Sequence, residues 1–204
     1  MNFLFTFNRK IADKIFVPFL LKTPLRPNHV TALSLVSGLT AGFAMSGGSR
    51  SGLLWGTFFL QLSFILDDCD GTIARLKNLR SDSGMWFDLI ADIWVDMAVW
   101  AGLAWGAVSQ GESVRVAWWL FAAAAAGSLI HFGHVIQDRL KGKTGKETSG
   151  DPSPFLAAVH VLGHDGDPSA LFWMTALFLQ PAQILFLGAV YIHFLWILSR
   201  CFGL

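Results

Sequence analysis

Charge is what this chain has little of. Only 14% of its 204 residues are Asp, Glu, Lys or Arg, against roughly 25% in water-soluble domains, and a soluble monomer is thereby nearly excluded. Tyrosine occurs once. The two cysteines, Cys69 and Cys201, lie far apart in apolar surroundings, without CxxC or metal-ligand spacing. They read as two buried thiols and provide no disulfide framework. Alternating-polarity strands of barrel type are absent, and so is any internal repeat. What is abundant is apolar bulk: 53% hydrophobic residues, with 18 Phe and 9 Trp, arranged in blocks near the ~20 residues that span a bilayer's hydrocarbon core. A chain of this length is ordinarily one domain, so residues 1–204 are expected to form a single membrane-embedded unit.

Six apolar blocks are expected to be helical, because no lipid-facing backbone group can go unpaired: about 29–46, 53–75, 84–108, 114–137, 169–179 and 182–199, the fifth either a short span that starts near Asp167 or a re-entrant segment that would change the count of six. The segment 1–23 carries Arg9, Lys10, Lys14 and Lys22 among Phe, Leu and Ile, without the unbroken apolar core and small-residue cleavage site of a secretory signal. An amphipathic helix on the membrane surface is expected there. Residues 139–154, RLKGKTGKETSGDPSP, are the one clearly hydrophilic stretch and read as a cytoplasmic loop. With a cytoplasmic N-terminus and six alternating spans, thirteen Lys and Arg fall on the cytoplasmic side and only Arg50 and Arg115 outside. That bias follows the positive-inside rule and predicts both termini in the cytoplasm.

The scarce acids are not spread evenly. Seven of the 14 Asp and Glu lie between Asp67 and Asp96, namely Asp67, Asp68, Asp70, Asp82, Asp88, Asp92 and Asp96, and six of these belong to apolar blocks, where a carboxylate by default marks function. Asp67, Asp70 and Ala74 share one helical face; Asp88, Asp92 and Asp96 stripe one face of the next helix. The short link Lys77–Ser83 predicts that the two helices pack directly as antiparallel neighbours, so that Asp67, Asp70, Asp88 and Asp92 converge near their cytoplasmic ends. Oxygen-only ligands suit hard ions such as Mg²⁺ or Mn²⁺, and two-metal sites recur where a phosphate ester is displaced in line. Gly71, Ala74 and Gly84 let a phosphate or a second helix approach the backbone, and Arg75 can neutralise phosphate oxygens. A cation or proton transporter using the same acids is the alternative from another class; it does not require Gly71-x-x-Ala74-Arg75.

The run Asp67-Asp68-Cys69-Asp70-Gly71-Thr72-Ile73-Ala74-Arg75, followed at fixed spacing by Gly84, Asp88 and Asp92, resembles the signature of the class I CDP-alcohol phosphotransferase (CDP-alcohol phosphatidyltransferase) family, D-x-x-D-G-x-x-A-R-x8-G-x3-D-x3-D. All eight specified positions match. Pro27-Asn28-His29-Val30-Thr31 is similar to the P-N-x-x-T opening of the family's first span.

The resemblance implies that Asp67, Asp70, Asp88 and Asp92 hold two divalent cations, with Asp92 the general base on the acceptor hydroxyl. Gly71, Ala74, Arg75 and Gly84, helped by Asn28 and Thr31, would line the CDP pocket. It further implies transfer of a phosphoalcohol group, commonly phosphatidyl from CDP-diacylglycerol, to an acceptor alcohol with release of CMP, in phospholipid biosynthesis and as a homodimer in the membrane. A soluble CDP-polyol or CDP-amino-alcohol donor stays open. Leu89 and Ile93 stand where phosphatidylglycerophosphate synthases usually have Pro and Lys, and the stretch Asp88-Leu89-Ile90-Ala91-Asp92 looks closer to the inositol-phosphate branch. For a phosphorylated acceptor the candidate contacts are Arg139, His164 and Arg200. Asp68 reads as a bystander, Asp96 as a residue that supports the site or bonds a neighbouring helix, and His131 and His134 as core or interfacial residues. Nothing in the sequence suggests nucleic-acid binding.

Overall fold

Proline, serine and glycine punctuate this chain, and the helices start and stop where they stand. The structure, a computed structural model, describes residues 5–140, 179–184 and 186–187. Among these residues every regular element is a helix. The N-terminal segment comprises α1 (Phe5–Ile11) and α2 (Val17–Leu21), joined by a π-helical turn, Ala12–Phe16. Pro18 explains the turn, since it has no N–H to donate and its ring crowds the carbonyl four residues back. The helix widens there, and the Val17 N–H reaches the Ala12 carbonyl instead.

Four long helices follow: α3 (Pro27–Ser46), α4 (Arg50–Leu76), α5 (Asp82–Ser109) and α6 (Val114–Leu140). Pro27 opens α3 at a position where no N–H is needed, after an extended Arg26. Gly48 turns the chain with φ +67°, and Ser49 then caps α4 by accepting from the Gly52 N–H. Between α4 and α5, Asn78 takes the left-handed conformation that Asn tolerates. Lys77 Nζ ties this link to the Leu25 carbonyl at 3.0 Å, and Ser81 caps α5 by accepting from Gly84 N–H at 3.1 Å.

The packing corrects one expectation. α4 and α5 meet where Asp67 and Asp70 face Asp88, as expected, but they make few close backbone approaches of their own; α3 packs closely against both. The cause is the small-residue composition of α3. A Cβ added at Gly102 of α5 would lie 2.1 Å from the Gly42 carbonyl oxygen, and one at Gly42 would lie 2.3 Å from the Ala98 carbonyl oxygen, so the two backbones touch. On the α4 side, Ser34 and Ser63 donate to each other's carbonyls at 2.9 Å, and Ser37 donates to the Phe59 carbonyl at 2.7 Å. Small residues and interhelical hydroxyl bonds are the means by which helices associate in lipid, where apolar burial alone gives no preference for protein over acyl chain. α6 packs on α5.

The outer faces carry Leu33, Val36 and Phe43 of α3, Trp55 and Phe58 of α4, Trp94 and Trp105 of α5, and Trp119 of α6, all exposed. Apolar surface on this scale is foreign to a water-facing monomer and suits lipid. By length and composition α3 qualifies as a membrane span, and Val114–Leu129 of α6 is a shorter apolar stretch. α4 and α5 are long enough to cross, and both carry aspartates within otherwise apolar sequence. α3 to α6 coincide with the first four expected blocks. The fifth block except Leu179, and most of the sixth apart from helical residues 182–184 and 186–187, lie outside the described residues.

The N-terminal helix does more than lie on a surface. Ala12, Val17 and Leu20 are buried in one cluster with Val30, Ile65, Leu66, Cys69 and Ile73, and Gln61 of α4 donates to Asn8 at 2.5 Å. Its opposite side leaves Ile15 and Phe19 exposed.

Candidate active site

Asp67 and Asp70 stand one helical turn apart on α4, and Asp88 stands one and a half turns into α5. One carboxylate oxygen from each lies within 4.8 Å of the others. Asp70 is buried, while Asp67 and Asp88 are half-buried. Asp67 and Asp88 are hydrogen-bonded to each other, a contact between two acids that needs a proton or a cation between them. The Oδ1 atom of Asp88 is buried and accepts no hydrogen bond, although the side chain as a whole interacts with its neighbours.

The residues present fit a hard divalent cation. All donors are oxygens, and two oxygens on one Mg²⁺ lie at most about 4.2 Å apart, so a set already within 4.8 Å needs only small adjustments. Asp92 is one turn beyond Asp88 and outside this group of three, yet near enough to Asp67 for their charges to repel.

Thr31, at the start of α3, donates its hydroxyl to Asp70 Oδ2. Because α3 begins at Pro27, Thr31 is placed one turn in, facing α4, where it is buried. The other residues expected around a nucleotide form two groups, one at the start of α5 and one at the end of α4. A Cβ on Gly84 would meet Asn28 Oδ1 at 3.2 Å and Ser81 Oγ at 3.1 Å, so Gly84 keeps that corner open. The Arg75 guanidinium folds back along α4: Nη2 donates to Thr72 Oγ1 at 2.8 Å, and Nη1 lies 3.6 Å from where a Gly71 Cβ would be. Ala74 is half-buried on the same helix.

Thr72 and Ser81 went unmarked in the sequence. The serine before Asp82-Ser83-Gly84 carries a helix-cap signal; nothing local marks Thr72. Asp96 bonds the Ser128 hydroxyl of α6, which also accepts from Trp100 Nε1 at 3.2 Å. Of the acceptor candidates, the Arg139 side chain and all of His164 and Arg200 lie outside the described residues, as do Cys201, the side chains of His131 and His134, and the 139–154 loop beyond Leu140.

Fold and site together define a helical membrane protein with an acidic, oxygen-donor cluster and an arginine beside it. The chain belongs to the CDP-alcohol phosphatidyltransferase family, whose model matches residues 25–198. It is 40% identical over 89 residues to a bifunctional IPC transferase and DIPP synthase of Rubrobacter xylanophilus, covering 43% of this chain and 20% of that one. It is 30% identical over 100 residues to the phosphatidylinositol phosphate synthase of Corynebacterium glutamicum, covering 48% and 45%. The matched portion is thus less than half the length of these relatives. Crystal structures of the Mycobacterium tuberculosis phosphatidylinositol phosphate synthase share the fold at 20% identity. The one with CDP-DAG bound gives a TM-score of 0.59 over 94% of this chain and 90% of that one. The complex with manganese and citrate gives 0.56 over 94% and 86%.

Proposed function

We propose that this protein transfers a phosphatidyl group from CDP-diacylglycerol to the hydroxyl of a polyol phosphate such as an inositol phosphate, releasing CMP. The observation that carries the reading is the convergence of Asp67, Asp70 and Asp88 within 4.8 Å, next to Arg75 and the small residues Gly71 and Gly84. In this reading the three carboxylates, joined by Asp92, hold two divalent cations, Mg²⁺ or Mn²⁺. When bound, such ions lower the pKa of a hydroxyl and neutralise charge on a phosphoryl group.

The chain's own residues do the rest. Arg75 binds the donor's diphosphate, Gly71, Ala74 and Gly84 leave room for it, and Asn28 faces the same corner. Asp92 takes the proton from the acceptor hydroxyl as its oxygen attacks the phosphorus bearing the lipid alcohol. The phosphoanhydride bond breaks, and CMP leaves with its electron pair. Arg139, His164 and Arg200 are the proposed contacts to the acceptor's phosphate.

The reading includes one domain over residues 1–204, six spanning helices, and the site and both termini in the cytoplasm, on the strength of the Lys and Arg distribution. A homodimer is part of it through the family resemblance. A second reading, a soluble CDP-polyol or CDP-amino-alcohol donor, uses the same carboxylates and Arg75, since these would act on the CDP-linked phosphates that every such donor carries.

The test is CMP release by purified protein with Mg²⁺ or Mn²⁺, CDP-diacylglycerol or CDP-inositol, and a panel of alcohols including inositol phosphate. CMP should form with CDP-diacylglycerol and a polyol phosphate, and Asp92→Asn should lose turnover while still binding CDP. CMP formed with CDP-inositol and an acceptor alcohol, but not with CDP-diacylglycerol and any alcohol, would establish the second reading. No CMP with any pair, together with cation or proton flux in vesicles, would sink both in favour of a transporter.

A further inference from the structure

The N-terminal helix was expected to anchor the chain to the membrane surface, yet its one acid reaches the signature. Asp13 is the only acidic residue between Phe5 and Leu21, and it lies before residues 25–198, the part matched by the family's model. Its Oδ1 accepts from Thr72 Oγ1 at 3.4 Å, and its Oδ2 lies 4.0 Å from Arg9 Nε. Thr72 in turn accepts from Arg75 Nη2 at 2.8 Å. The directions are consistent along the whole chain: a hydroxyl has one proton, Thr72 gives it to Asp13, and its lone pair receives Arg75. The helix that carries Asp13 is fixed on α4 from two sides, by the Asn8–Gln61 bond and by the burial of Ala12 and Val17 against Ile65, Cys69 and Ile73. Asp13 is therefore held in place by a docked helix.

We propose that Asp13 is a positioning residue for Arg75, acting through Thr72, and that the N-terminal helix is thereby part of the wall of the donor's diphosphate pocket. The inference rests on the reading above in one respect, that Arg75 binds the donor. The guanidinium has several side-chain torsions, and without an acceptor it would sample many orientations around an exposed helix end. Bonded to Thr72, and drawn by the negative charge of Asp13, it stays folded over Gly71, where the backbone is open to phosphate. Binding then costs less side-chain ordering, and the benefit falls on donor affinity rather than on the chemical step.

Steady-state kinetics of CMP release separate this role from anchoring. Thr72→Val and Asp13→Ala should each raise KM for CDP-diacylglycerol about two- to five-fold, the upper part of the range for one exposed charge contact, with kcat and the acceptor KM unchanged. Thr72→Ser should restore the donor KM. Asp13→Asn, which keeps an oxygen for Thr72, should lie between unmodified protein and Asp13→Ala. In an Arg75→Ala background, where the donor KM is already high, neither substitution should raise it further, because contacts in one chain are not additive.

Unchanged donor KM in both Thr72→Val and Asp13→Ala, or effects that add to those of Arg75→Ala, would overturn the proposal. So would a loss confined to kcat and thermal stability, since that is the mark of a structural anchor. If unmodified protein turns over but Arg75→Ala leaves the donor KM unchanged, the error lies in the role given to Arg75; if unmodified protein releases no CMP, it lies in the functional reading.

Discussion

Replacing Thr31 by Val keeps the side-chain shape and removes one hydroxyl from a buried contact with Asp70. A hydrogen bond to a charged group contributes about 1.5–3 kcal/mol, which corresponds to roughly 10- to 150-fold in an equilibrium constant. Residues that orient metal ligands typically alter metal affinity by about 10- to 100-fold. Both routes lead to the same expectation: the Mn²⁺ concentration giving half-maximal CMP release should rise at least about ten-fold in Thr31→Val. Turnover should recover at high metal, because Asp70 itself remains. Thr31→Ser should behave nearly as the unmodified protein, since it keeps the donor. The measurement is a Mn²⁺ titration of CMP release at saturating donor and acceptor, repeated with the donor varied at saturating metal. An unchanged Mn²⁺ requirement with a raised donor KM would refute the reasoning and move Thr31 to the nucleotide pocket, the role its place in Pro27-Asn28-x-x-Thr31 implies by family resemblance.

Two further outcomes concern packing. Gly102→Ala drives a methyl to 2.1 Å from the Gly42 carbonyl oxygen, where only backbone can give way, whereas a Cβ on Gly47 has nothing nearer than 3.9 Å. Gly102→Ala should therefore lower the melting temperature in detergent by about 3–10 °C, from an overpacking cost of about 1–3 kcal/mol, while Gly47→Ala leaves it within about 2 °C; equal melting points would show that α3 and α5 can separate freely. Ser128→Ala removes the acceptor of buried Trp100 and the partner of Asp96. It should cost about 1–2 kcal/mol, read by the same melt, with the Mn²⁺ requirement unchanged; a shift in that requirement would instead place the Asp96 pair in the metal site.

Much of the site was legible because its determinants are local. Asp67 and Asp70 share a helical face by spacing alone, and so do Asp88 and Asp92. Gly84 could be assigned to the site by its place in the signature without knowing that it faces Asn28. What periodicity reports is which face of one helix is special; it does not say which helix that face meets. The pairing of α4 and α5 expected from a short link holds at their acidic ends but not as close backbone packing, because α3, with Gly38, Ala41 and Gly42 along it, can approach both more closely than they approach each other. Thr31 was visible as part of a motif, but its bond to Asp70, 39 residues away, was not. Thr72 was invisible for the same reason: its partner Asp13 is 59 residues distant.

The sequence by itself determined the class of protein. Too little charge for a water-facing surface, apolar blocks of spanning length and carboxylates at helical spacing are properties of a chain in a given solvent, whatever its tertiary contacts. Only the tertiary structure decided that α3 packs closely on both acidic helices, that three of the four motif acids form the tight cluster while Asp92 stands one turn away, and that the N-terminal helix is seated on α4 with Asp13 at Thr72. Those outcomes depend on how closely particular backbones can approach, which is set by the shapes of both partners at once.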